Sequence, residues 1–181
     1  APIKCSSPYA VSKAAADLHL MTLKDERITI VRPSNCYCPG QSLHRLIPRA
    51  VLAALTGKKM PLQGNPSKSY LHADDLSAAI ELLINEHTPG IFNVGADHPS
   101  SIHKIVEEIA SQFGLWTRDI AEITEGRANE DACFWIDSTK IKKMGWKPTI
   151  ELRQGMNEMA EWGKKYKDQL VNMSTDYLMT P

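Results

Sequence analysis

Tyr9 and Lys13 stand four residues apart in a stretch whose pattern predicts a helix, which places both side chains on one face. An ammonium beside a phenol favours the phenolate, and a tyrosine tuned in that way can serve as a general acid and base near neutral pH. The same spacing also arises on surface helices as an exposed pair with no role, so the pair gains weight only from its surroundings. Cys36 and Cys38 are separated by one residue, but no second Cys or His pair follows at a zinc-ligand spacing. With Cys5 and Cys133 they read as reduced thiols of a cytoplasmic protein, and no metal is expected. His72 with Asp74 and Asp75 resembles a ligand set only superficially; either aspartate suits the N-cap of the helix that follows.

The elements that must position these groups alternate in type. Ser7-Pro8 is a helix start, and Val11, Ala14, Ala15, Leu18 and Met21 then share one side of a helix over Tyr9 to Lys24. Ile28 to Val31 is a β-branched run read as a buried strand that Pro33 ends, with a loop from Ser34 to Ser42. A helix over Leu46 to Leu55 stops at Gly57, and Pro61 to Lys68 is rich in turn residues. Further strands are expected at Tyr70 to Ala73, Ile91 to Val94 and Ile120 to Thr124. Helices are expected over Leu76 to Ile84, Ile102 to Phe113, Ser138 to Met144 and Glu151 to Leu170, followed by a loose tail. Met156, Met159 and Trp162 follow helical spacing as core positions, and Trp146 is expected to pack the C-terminal helix. Strands alternating with helices give an α/β class with parallel strands.

The chain has 181 residues, with 21 Lys and Arg balancing 21 Asp and Glu. Zero net charge gives no general attraction for nucleic acid or an anionic membrane, so an anionic ligand must be met by a few locally placed cations. No apolar run is long enough to span a membrane, and the first residues are not expected to form a signal peptide. The chain does not begin with Met and is expected to be processed, trimmed or cut from something longer.

Several stretches carry a resemblance in consistent order. Ser6 to Asp17 (Ser-Ser-Pro-Tyr-Ala-Val-Ser-Lys-Ala-Ala-Ala-Asp) resembles the active-site helix of the extended short-chain dehydrogenase/reductases, the nucleotide-sugar epimerases and dehydratases. Arg32 to Gln41 is similar to that family's "R-x-x-N-x-Y-G-P" segment, and Arg45-Leu-Ile-Pro48 with Gly57 to Leu62 to its substrate loop and following helix. Lys68 to Asp75 resembles "R-D-Y-I-H-V-D-D", and Ile91 to Gly95 resembles "Y/F-N-V/I-G". Arg127 falls where the family has an arginine before a short polar run, and Lys140 to Pro148 resembles "K-x-x-x-L-G-W-x-P". The spacing is most similar to dTDP-glucose 4,6-dehydratases, with UDP-glucose 4-epimerases and UDP-glucuronate decarboxylases as close relatives.

The resemblance implies the C-terminal portion of an incomplete NAD(P)-binding Rossmann-type sheet plus a small α/β substrate-binding domain. Residues 1–33 would carry the Tyr/Lys helix, 34–69 a substrate-binding segment, 70–95 the return to the Rossmann domain, 96–170 the substrate-binding domain and 171–181 a tail. It implies NAD as cofactor, with Tyr9 taking a proton from a sugar hydroxyl, usually at C4, while hydride leaves the same carbon. Lys13 would hold the nicotinamide ribose, and Pro33 and Ser34 would pass the nicotinamide. A UDP- or dTDP-sugar is the implied substrate. Asn35, Lys68 and Arg127 would meet its diphosphate, Arg45 and Leu46 would cover the nucleotide, Pro61, Leu62 and Gln63 would lie beside the base, and Asn93 would lie near the nucleotide. A homodimer of the complete protein is implied as well.

Departures from the pattern carry their own expectations. Cys38 stands for a glycine, Cys36 for a second asparagine of the dehydratases, and Lys68-Ser69 for Arg-Asp, which replaces a bidentate fork by a point charge. No G-x-G-x-x-G follows a strand, so the glycine-rich cofactor loop is expected upstream, and the isolated piece is expected to be inactive. Without upstream neighbours, the Tyr9 helix and the first strand should leave apolar surface uncovered. Two other readings stand beside the enzymatic one: a catalytically inactive remnant that binds nucleotide-sugar or nothing, and a ketoreductase acting on a non-nucleotide substrate.

Overall fold

A computed structural model describes residues 5, 7–126 and 131–176. Its elements run α1 (Pro8–Thr22), β1 (Thr29–Pro33), β2 (Asn35–Tyr37), α2 (Leu46–Thr56), β3 (Met60–Gln63), β4 (Ser67–Lys68) and β5 (Tyr70–His72). They continue with α3 (Ala73–Asn85), β6 (Gly90–Val94), β7 (Ser100–Ser101), α4 (Ile102–Gln112), α5 (Thr117–Ile120) and β8 (Ala121–Thr124). The last are β9 (Cys133–Phe134), α6 (Thr139–Lys142), α7 (Leu152–Lys165) and α8 (Lys167–Leu170).

The α/β class holds, and the pairs β1–β6, β2–β5 and β3–β8 are parallel. β4 pairs antiparallel with β7 and parallel with β9. The β-branched run of β1 lies against β6 with Ile30 opposite Ile91 and Pro33 opposite Val94. Pro33 has no N–H to continue the ladder. The next residue donates from Ser34 N to Val94 O at 2.9 Å, and Asn35 N then donates to Ser69 O at 3.1 Å. The chain therefore changes partner at Ser34, leaving β6 for β5, so the expected 34–42 loop begins with a short strand.

Two apolar cores flank that step. One gathers Leu71, Ala79, Leu83, Phe92, Val94, Ile141 and Trp146. The other joins α2, α4 and α7 through Val51, Ile105, Val106, Ile109, Met156 and Met159. The helical spacing of the two methionines thus marks core, as expected, with Trp162 packed against it. Gly155 is required here because a Cβ would strike the Tyr37 ring.

Three expectations are corrected. The N-cap of α3 is His72, whose Nδ1 accepts from Asp74 N at 3.3 Å, rather than an aspartate. Asp75 instead lies buried and accepts from Thr149 N at 2.8 Å, Thr149 Oγ1 at 2.9 Å and Ile150 N at 3.2 Å. Trp146 packs against α3 and β6 and donates Nε1 to Asp75 O at 3.0 Å, not onto the C-terminal helix. That helix itself divides at Tyr166 into α7 and α8.

The uncovered surface expected around α1 is present. Ser7 Oγ caps α1 by accepting from Ala10 N at 3.1 Å, yet the helix buries none of its residues. Its main tie to β1 is Arg32 Nε on Asp17 Oδ2 at 2.6 Å. Among the described residues, β1 has a strand partner on one edge only.

Candidate active-site cleft

The step at Ser34 forms the floor of a cleft of ≈ 1510 Å³ between α1, the β1–β2 junction, the start of α2, and β3–β4. Tyr9 and Lys13 line it from α1, with the Tyr9 ring 73% exposed. Pro33, Ser34 and Asn35 line it from the junction, where Asn35 Nδ2 is held by Ser69 O at 3.2 Å. Arg45 and Leu46 enter from the start of α2, Pro61, Leu62 and Gln63 from β3, and Lys68 from β4. Leu62 is buried and also belongs to the second core, so β3 couples the cleft wall to packing.

Two predicted residues are not in this set. Asn93 is absent from the lining, and its Nδ2 donates to Asp137 O at 3.2 Å. Arg127 lies outside the described residues. Conversely, the cleft includes groups that sequence reasoning passed over: His44, Arg49, Phe134 and, from the tail, Thr175 and Asp176. Arg49 had a legible signal, since it follows Arg45 by one helical turn. Phe134 had none, because a two-residue strand shows no periodicity; β9 places it opposite Lys68.

Charge in the cleft is lopsided despite a neutral chain. Lys13, Arg45, Arg49 and Lys68 line it, whereas Asp17 is occupied by Arg32 and Asp176 comes from the tail. Low-dielectric walls focus such a field on an anionic ligand. Burial, and next the charge of Cys38, push the Cys36 thiol up to about 11, so it lines the cleft as a neutral group.

Ser34 is the most informative atom of the floor. It is only 8% exposed, yet its Oγ has no hydrogen-bond partner. A buried hydroxyl without a partner costs free energy, and since Ser34 lines the cleft, a rotation of its side chain would present the hydroxyl to a polar ligand group such as a carboxamide. The floor is thus compatible with a nicotinamide. Among the described residues no group of three or more His, Cys, Asp or Glu side chains could hold a metal ion, and no helix is long and apolar enough to cross a membrane. A separate hollow of ≈ 830 Å³, lined by residues including Lys59, His103 and Arg118, contains none of the predicted groups.

Comparison with known proteins places this geometry. The family model described as GDP-mannose 4,6 dehydratase matches residues 1–159. A trifunctional UDP-glucose 4,6-dehydratase/UDP-4-keto-6-deoxy-D-glucose 3,5-epimerase/UDP-4-keto-L-rhamnose-reductase of Arabidopsis thaliana is 27% identical over 163 residues, covering 87% of this chain and 24% of that one. A dTDP-glucose 4,6-dehydratase of Streptomyces griseus is 30% identical over 175 residues, covering 92% of this chain and 52% of that one. The crystal structure of dTDP-glucose 4,6-dehydratase from Bacillus anthracis in complex with NAD superposes with a TM-score of 0.83 at 30% identity, covering 92% of this chain and 55% of that one. The chain therefore spans about a quarter of the first relative and about half of the other two.

Proposed function

Because this chain belongs to the GDP-mannose 4,6 dehydratase family, we propose that it carries the substrate side and the Tyr/Lys pair of an NAD-dependent nucleotide-sugar 4,6-dehydratase or 4-epimerase, a lyase or isomerase acting on a UDP- or dTDP-sugar. The observation that carries the reading is convergence: Tyr9 and Lys13, from one helix face, open into the same cleft that Ser34 and an excess of cations line.

In this reading the Tyr9 oxygen takes the proton from the sugar C4 hydroxyl, and bound NAD supplies the hydride acceptor for the same carbon. The Lys13 ammonium holds the nicotinamide ribose, Pro33 and Ser34 line the nicotinamide, and the Ser34 Oγ bonds its carboxamide. Asn35, Lys68 and Arg127 meet the diphosphate, Arg45 and Leu46 cover the nucleotide, and Pro61 to Gln63 border the base. Asn93 lies near the nucleotide, its side-chain amide held by Asp137 O. The division at residues 33, 69, 95 and 170 into Rossmann and substrate-binding parts belongs to the same proposal. So do a homodimer and a cytoplasmic setting.

Replacing Tyr9 by Phe in the full-length natural polypeptide tests it. Loss of proton transfer should lower kcat by roughly 10²- to 10⁴-fold while NAD and nucleotide-sugar still bind. Turnover within about threefold of the parent protein would overturn the role of Tyr9, because a general base contributes more than that.

A further inference from the structure

We infer that Arg49, with Arg45 one turn before it, forms a guanidinium clamp in the cleft wall that takes the diphosphate of the nucleotide-sugar. The inference rests on the reading of the cleft given above and adds a ligand contact to it. Arg45 is the N-cap of α2 and Arg49 lies in its first turn, four residues on, and both line the cleft. Arg49 is held in regular helix by its N–H on Arg45 O at 3.0 Å, so the guanidinium springs from a rigid base. It is half-buried. No ion pair among the described residues engages either arginine, while the nearby Arg32 is matched by Asp17. A half-buried guanidinium without a carboxylate loses hydration and gains no counter-charge, unless a ligand supplies one.

The chemistry of that ligand follows from the donor. A guanidinium presents a planar fork that matches two phosphate oxygens, whereas an ammonium meets them as a point charge. Lys68 offers the latter kind of contact in this cleft, and of the three arginines among its described lining residues Arg32 is held by Asp17, which leaves Arg45 and Arg49 to add a fork beside the one proposed for Arg127. A diphosphate engages both arginines where a monophosphate reaches one, which predicts a preference between two ligands that share a base.

Titration calorimetry of the 181-residue chain with UDP, UMP, dTDP and dTMP reads that preference directly. Arg49→Ala should weaken the diphosphates by about tenfold and the monophosphates by less than about threefold, as expected for losing one charged bidentate contact. Arg49→Lys should restore only part of the loss, because charge returns without the fork. General damage to the fold lowers all four affinities together and leaves the ratio unchanged, and Arg49→Lys carries the same test if the alanine variant does not fold. An unchanged diphosphate preference in variants that still bind would overturn the clamp alone. Failure of the parent chain to bind either diphosphate would overturn the reading of the cleft and the clamp with it.

Discussion

Residues in the cleft differ in what burial does to them, and Cys36 shows it best. Its thiol faces the cleft but is held up to about 11 by desolvation and then by Cys38. A thiolate is the reactive species, so Cys36 is inert near neutrality although a ligand can touch it. The native state keeps this proton above the ordinary value of 9.0, where the unfolded chain has released it. The resulting contribution to stability is full below pH 9 and is lost as pH rises through about 11. Alkylation with iodoacetamide at pH 8, read by peptide mass spectrometry, should label exposed Cys133 well ahead of Cys36. Labelling of Cys36 should then rise about tenfold per pH unit towards 11, with the thiolate fraction. Equal rates at pH 8 would contradict the burial argument.

Elements are held together here by contacts distant in sequence, and Asp75 is the clearest case. As a helix cap it would be interchangeable with Asn, since both accept a single amide bond equally well. As a buried acceptor of three donors from residues 149 and 150 it is not: the amide of Asn would turn a donor towards one of those N–H or O–H groups. Asp75→Ala should cost roughly 3 kcal/mol in denaturant unfolding and Asp75→Asn more than about 1, while Asp74→Ala, at an exposed position, stays within about 0.5. A neutral Asp75→Asn would return Asp75 to a capping role. The same contrast explains what was legible. Ser7, Gly57 and the spacing of Met156 and Met159 act locally or periodically, so the local sequence reveals them. The partners of Asp75 and Trp146 lie about 70 residues away from one another's segments in the chain, and β2, β4 and β9 are too short for any period to show. The cleft was legible from Tyr9 to Lys68 because motifs in register share one wall. Phe134 was not, because a two-residue strand shows no period, and Arg49 was legible only through its spacing from Arg45.

At the scale of the molecule, the helix that carries Tyr9 is the one among the described helices that buries none of its residues. Val11 is 54% exposed, Leu18 51% and Met21 47%, in contrast to α4 and α7, which bury Ile105, Ile109, Met156 and Met159 completely. A 15-residue helix is marginal in water without tertiary packing. The Arg32–Asp17 pair, partly exposed on both sides, adds about 1 kcal/mol or less. Hydrogen exchange of the 181-residue chain should therefore show α1 amides protected by less than about 2 kcal/mol, with α4 and α7 close to global stability. Arg32→Ala should erase the residual protection of α1 and leave the cores unchanged. Protection of α1 equal to that of α4 at every concentration would contradict this. A rise of α1 protection with protein concentration would identify a second copy as its cover, and a rise only in a longer polypeptide would identify a cover supplied by that polypeptide. Either cover bears on chemistry, because a base on a fraying helix is not held within reach of its proton and proximity is lost. Activity should accordingly track α1 protection rather than the stability of the two cores.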